Sequence, residues 1–157
     1  MFRKMRRFGQ QMDAAAAMEI LEKGKTGILA VMGDGGYPYA VPLNYACHDN
    51  TIFFHCAHEG HKIEALRNCS KVSFCVVDMD EVVPETLSTD YRSVIVFGRA
   101  RELTDRAEII SELTRFTEKY NGNREQLAKE LSETLPAVIA IDIEHITGKQ
   151  AKRLAQK

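Results

Sequence analysis

The sequence has no marked excess of either charge: 21 lysines and arginines against 22 aspartates and glutamates leave a formal net charge of −1. A balance so near neutral gives no long-range attraction to nucleic acid or to an anionic membrane, and neither is expected as a partner. The chain also lacks an unbroken apolar run of the roughly 18 residues a membrane-spanning helix needs. The run that begins at Ala14 is interrupted by Glu19 and Glu22, so it is not a signal-peptide core, and a cytoplasmic location is the expectation. Cysteine is sparse. Cys47, Cys56, Cys69 and Cys75 are the only four and none share a C-x-x-C spacing, so neither a disulfide framework nor a metal site is expected. Cys56 and Cys75 read as small buried apolar groups on strands.

What is present is ordinary globular composition, with 45% hydrophobic and 27% charged residues over 157 positions. That length suits one domain with a single core. Residues 1–12 form a locally basic arm through Arg3, Lys4, Arg6 and Arg7, read as flexible or partner-contacting, and residues 149–157 form a basic tail. No internal repeat interrupts the domain.

Asp13 caps a predicted helix over Ala14–Lys23 that Gly24 ends. Ile28–Met32 is a short apolar strand, and Gly33-Asp34-Gly35-Gly36 turns the chain; no helix pattern follows this turn directly, which excludes a P-loop. Lys71–Asp78 alternates as a strand, residues 79–90 read as a loop covering a ligand or a partner, and Arg92–Leu103 is a long strand apolar on both faces. Asp105 and Glu108 resemble a capping box ahead of Ile109, Ile110, Leu113, Phe116 and Tyr120 at helical spacing. A polar helix over Arg124–Leu131 and a half-buried strand over Ala137–Ile146 complete the chain. The elements add up to an α+β fold, mainly β, with about six mostly antiparallel strands in a small barrel.

The stretch that organises the rest runs from Tyr37 to Lys62. Tyr37 to His48 alternates with a period of two, Asp49-Asn50 is a turn, and Thr51–Cys56 returns, so the sequence predicts an antiparallel hairpin. Pro42 inside the first strand has no N–H and belongs on an edge or a bulge. The break is expected to leave backbone groups of Val41, Leu43 and Asn44 without strand partners, a wall suited to the polar edge of a heterocycle. An ordinary edge strand that tolerates proline is the alternative. Gly60-His61-Lys62 then opens a short helix ending near Asn68. Free N–H groups, positive potential and the Lys62 ammonium together favour a phosphate monoester.

The order GYPYAVPLNY, then TIFFHCAHEGHK, then SVIVFGRA resembles the pyridoxamine 5′-phosphate oxidase-like superfamily of FMN-binding split barrels, closest to the nitroimidazole-resistance (Nim-type) flavoproteins. The resemblance covers the chain from about Arg7 through Lys149. It implies a six-stranded antiparallel split barrel, a homodimer, and FMN at the subunit interface. It implies flavin contacts from Tyr39, Val41, Pro42, Leu43 and Asn44, places His55 and Cys56 beside the ring, and sets His61 and Lys62 on the phosphate. Ser93 matches a position that reaches the flavin of the other subunit, and His55 matches a histidine on the substrate side, where proton donation is the role it implies.

The function the resemblance implies is an FMN-dependent oxidoreductase that passes electrons from NAD(P)H or a reductase to a small oxidised acceptor, a nitroaromatic among the candidates. The ending ITGKQAKRLAQK lacks the Arg-x-His pattern of true pyridoxamine phosphate oxidases, so the namesake activity is not expected. Two alternatives stay open: a non-catalytic flavin- or haem-binding protein, with His55, His58 or His61 as an axial ligand, and a relative that takes the longer deazaflavin.

Overall fold

A computed structural model describes residues 1–155. Helix α1 (Ala14–Lys23) starts where Asp13 accepts the Ala16 N–H at 2.8 Å and stops at Gly24, as expected. Strands β1 (Thr26–Met32), β2 (Pro38–Asn44), β3 (Ala46–His48) and β4 (Thr51–Cys56) follow, then α2 (His61–Asn68), β5 (Lys71–Val83), β6 (Ser88–Glu102), α3 (Arg106–Lys119), α4 (Arg124–Ser132) and β7 (Ala137–Gln150). The fold is α+β, with one antiparallel sheet ordered β2-β1-β5-β6-β7-β4-β3.

The two edges of that sheet, β2 and β3, are separated in sequence by a single residue, Tyr45. The chain therefore steps from one edge to the other. The sheet must curl back on itself there and stand open farther along, which is a split barrel. Tyr45 fixes the step. Its ring is fully buried, edge-on to Phe74 at 4.9 Å, and its hydroxyl donates to Leu21 O at 2.6 Å.

This step corrects the predicted hairpin. Only Ala46–His48 pairs with Thr51–Phe53, across the expected Asp49-Asn50 turn, where both residues take positive φ. Pro38–Asn44 pairs with β1 instead. A period of two runs unbroken through Tyr37–His48, but burying Tyr45 in the core splits the segment between two partners, and seven strands stand where six were expected.

The predicted loop over residues 79–90 is also corrected. Strands β5 and β6 continue as a paired ribbon, Met79↔Arg92 to Val83↔Ser88, closed by a turn at Pro84–Thr86. Its side chains mostly meet solvent, apart from Asp90, which is buried in an ion pair with Arg153, so it carries no apolar periodicity to read. Strand β7 likewise runs past Ile146, and Ser93 pairs with Lys149, so the basic tail begins as strand. Its last two positions, 156 and 157, lie outside the described residues.

The barrel interior is filled by Leu21, Leu29, Phe54, Phe74, Val94, Val96, Ile139 and Ile141. A smaller cluster of Phe53, Leu103, Leu113, Val138 and Ala140 lies on the other face of β4 and β7, under α3. Each such side chain contributes roughly 1.5–3 kcal/mol by leaving water. The interior is tight at Gly27, where an added Cβ would stand 2.2 Å from Phe74 Cε1. The basic arm lies against the sheet: Phe2 stacks on His145 at 4.5 Å and on Phe97 at 5.5 Å.

Candidate functional site

The site is built around the gap where β2 and β4 part beyond Tyr45. Strand β2 is an edge, and its register with β1 decides which backbone groups are open. Gly33 donates its N–H to Tyr37 O at 2.8 Å, and the ladder continues through Val31↔Tyr39, Leu29↔Val41 and Gly27↔Leu43. Hydrogen-bonded pairs alternate in an antiparallel ladder, so these odd positions bond to β1 and the even ones face away. Both prolines of the strand, Pro38 and Pro42, fall on the even positions, where a missing N–H costs no ladder bond. The open groups are thus the N–H of Ala40 and Asn44 and the carbonyls of Pro38, Ala40, Pro42 and Asn44. The expectation that Val41 and Leu43 lack strand partners does not hold, whereas it does hold for Asn44.

At the other side of the gap, α2 begins at Gly60, whose φ of 113° suits glycine, with no side-chain cap on the helix start. The N–H groups of His61, Lys62 and Ile63 are left without helical acceptors. Here a cleft of about 230 Å³ is lined by Tyr39, Cys56, Ala57, Glu59, Gly60, His61, Lys62 and Ile63. Lys62 is half-buried, lies 5.6 Å over the Phe54 ring, and makes no ion pair among the described residues. His61 stacks flat on Tyr39 at 4.2 Å and accepts the Asp34 N–H at 3.3 Å, which ties the glycine-rich turn to the helix start.

His55 points away from the barrel interior, opposite to Phe54 and Cys56. Its ring meets the Phe116 ring edge-to-face at 4.8 Å, and Phe116 stacks in turn on Tyr120 at 4.8 Å. Tyr120 accepts the Tyr45 N–H at 3.1 Å, and Asn44 donates to Lys25 O at 3.1 Å, so α3 closes the outer side of the gap. Partial desolvation beside Phe116, in a side chain that still meets solvent, holds the His55 imidazole below the ordinary histidine range; Glu130 opposes that shift and Lys62 adds to it. Burial raises the Cys56 thiol, with Lys62 acting against it. The Cys47 thiol, buried deeper, is pushed up to about 12.

The sequence-predicted residues fall into three groups. Tyr39, Cys56, His61 and Lys62 meet in the cleft. Val41 and Leu43 pack their side chains into the core, while Pro42 and Asn44 lie on the outward face of β2. Ser93 stands apart on β6, on the outward face with Ile95 and Phe97, and does not line the cleft. Sequence reasoning read Phe116 and Tyr120 only as a packing stripe and gave Glu130 no role. Their spacing is that of any amphipathic helix, so no signal in it marked them out.

Among the described residues, no helix is long and apolar enough to cross a membrane, and no group of three or more histidine, cysteine, aspartate or glutamate residues is placed to hold a metal ion. None of the curated proteins matches the chain. Among solved structures, a candidate 5-nitroimidazole antibiotic resistance protein from Bacteroides thetaiotaomicron is similar at 20% identity and a TM-score of 0.74, over 89% of this chain and 86% of that one. A FAD-binding protein from Mesorhizobium loti is 27% identical with a TM-score of 0.64, over 90% and 96%. The flavocytochrome Anf3 from Azotobacter vinelandii is 21% identical with a TM-score of 0.78, over 95% and 72%. The family description that matches residues 13–150 covers every element of the barrel, and by it the chain belongs to the pyridoxamine 5′-phosphate oxidase family.

Proposed function

We propose that the protein is an FMN-dependent oxidoreductase that reduces a small oxidised acceptor, with a nitroaromatic as the candidate substrate class and NAD(P)H or a reductase as donor. The observation that carries this is the pairing of Lys62, which makes no ion pair among the described residues, at an uncapped helix start with an edge strand whose outward backbone groups are open. A dianionic tail and a planar head with polar edges need those two surfaces side by side. The likeness to a FAD-binding protein at 27% identity supports a flavin in this place.

A bound flavin supplies the electron transfer. Lys62, His61 and the first N–H groups of α2 would hold its phosphate, and the open Ala40 and Asn44 N–H groups and Pro42 carbonyl would be available to its polar ring edge. Tyr39, Val41, Leu43 and Cys56 shape the wall behind it. His55, with no hydrogen-bond partner among the described residues, would pass a proton from its protonated form to an acceptor that lies on the α3 side of β4. Desolvation makes that form scarcer and Glu130 partly restores it.

The functional unit is a homodimer with the flavin at its interface. The outward face of the sheet carries Ile28, Val77, Ile95 and Phe97, between 40% and 56% exposed, and the register aligns Pro42, Ile28, Cys75, Ile95 and Thr147 in one row across five strands. An apolar face of that extent suits a second copy. Ser93 lies on it and is the residue that reaches the partner's flavin.

The test is the absorption spectrum of the freshly purified protein, with the acid-released chromophore weighed, followed by FMN titration and light scattering. FMN bound at micromolar levels to a dimer is expected, and Ile95→Glu yields monomer with weakened binding. A colourless, folded sample that does not quench FMN fluorescence at those levels refutes the reading. Haem is the second reading because neither His55 ring nitrogen has a hydrogen-bond partner among the described residues; a Soret band after haem addition, with no flavin bands, would favour it.

A further inference from the structure

Outside the cleft, the chain holds a second cavity, of about 420 Å³, between α3, α4 and the end of β4. Its walls are mainly apolar, from Leu113, Phe116, Leu127, Leu131 and Pro136. Four ionisable groups line it, His55, His58, Glu130 and Glu133, and both carboxylates lie towards the α4 side. His55 stands on the strand side and Glu130 on the α4 side, where Gln126 donates to the Glu130 carboxylate at 3.0 Å. His58 also lines it, but its Nε2 is engaged with Leu135 O at 2.8 Å.

Helix α4 buries no residue fully and touches the domain through the half-buried Leu127 and Leu131. It is joined to α3 by Asn121-Gly122-Asn123 and to β7 by the segment ending at Pro136. A helix seated this shallowly over an apolar space of ligand size has the build of a lid.

We propose that this cavity is a binding site for an uncharged planar aromatic molecule, held between the α3 and α4 side chains with one polar substituent on His55. The site adjoins the Lys62 cleft through Ala57, which lines both, and remains distinct from it. The occupant is uncharged for two reasons. Leucine and phenylalanine walls cannot solvate an ion, and the Glu130 carboxylate repels an anion. A planar aromatic ring is the form that stacks on the Phe116 ring and packs against the leucine side chains of the two helices. Its substituent is one that accepts or donates a single hydrogen bond, since His55 keeps both ring nitrogens free of protein partners among the described residues. In its bearing on catalysis the inference rests on the flavin reading: the acceptor approaches from the α3–α4 side, and α4 selects against charge.

The test uses two probes with the same nitro-substituted ring, nitrobenzene and 4-nitrobenzenesulfonate, in equilibrium dialysis with the purified protein, with FMN omitted and with FMN in excess. Nitrobenzene is expected to bind and the sulfonate to bind at least about tenfold more weakly. Leu127→Trp, and independently Leu131→Trp, fill the cavity from α4 and are expected to weaken nitrobenzene at least about tenfold while circular dichroism stays that of the parent. Equal affinity for the two probes, indifference to both tryptophan variants in folded protein, or displacement of nitrobenzene by FMN would overturn the proposal. Discriminating nitrobenzene binding in a protein that takes up no FMN would sink the flavin reading and leave this site standing.

Discussion

Replacing Lys62 with methionine keeps most of the side chain's length and its contact with Phe54 while deleting the charge. In the parent, the ammonium stands half-buried over Phe54 at the start of α2 with no carboxylate paired to it among the described residues. A phosphate dianion about 4 Å away would gain roughly 4 kcal/mol per unit charge at an effective dielectric constant near 20. Much of that replaces hydration that both partners already had. The net worth of a hydrogen bond to a charged group is about 1.5–3 kcal/mol, which corresponds to a roughly 10- to 150-fold rise in the dissociation constant for FMN. The backbone N–H groups of the helix start remain, so binding is weakened and not abolished.

Fluorescence quenching titrations with FMN and with riboflavin, run in parallel, read this directly. Riboflavin has the same ring and no phosphate, so Lys62→Met should leave its affinity unchanged and close the gap between the two ligands. Raising the salt should erode the FMN advantage in the parent more than in the variant. A change of less than about threefold for FMN, or an equal loss for riboflavin, would place the phosphate elsewhere and refute the reasoning.

Acidification should destabilise the parent through His55. Partial desolvation lowers its folded-state pKa below the unfolded value of about 6.5, so its contribution is present above that value and is lost as the pH falls through the folded pKa. Chemical denaturation at pH 7.5 and at pH 5 should show a smaller loss for His55→Gln than for the parent. Glu130→Gln removes the charge that opposes the shift, so an NMR titration should find the His55 ring titrating lower still; an unchanged midpoint would separate Glu130 from His55. Gly27→Ala sets a Cβ against the Phe74 ring and should cost about 1–3 kcal/mol, roughly 2–12 °C in melting temperature for a chain of this size. A melting temperature unchanged within 1 °C would show that β1 and β5 are not packed as described.

How far the candidate site was legible in the sequence depends on the range of the interactions that made it. His61 and Lys62 were found because a helix start is a local pattern, Tyr39 and Cys56 because the family resemblance implied them, and the four line one cleft. The open groups of β2 were half-read. Proline announced the edge, but which carbonyls face outward depends on the register with β1, and that is set by the Gly33–Tyr37 turn. Phe116, Leu127 and Glu130 were read as helix stripe and polar face, because nothing local says that β4 lies opposite them.

By itself the sequence determined the cap at Asp13, the helices that start at Ala14, His61 and Arg106, the Asp49-Asn50 turn and the cationic corner at Lys62, since each depends on neighbours within a turn or two of chain. Only the tertiary structure decided that Tyr45 divides one alternating segment between two sheet edges, and that residues 79–90 pair as a ribbon. It alone brought α3 and α4 over His55 to enclose a cavity. Strand partners and helix faces are chosen by contacts distant in sequence, whose free energy comes from burying Tyr45 in the barrel interior and Phe53 with Leu113 under α3, and leaves no periodic trace in any one segment.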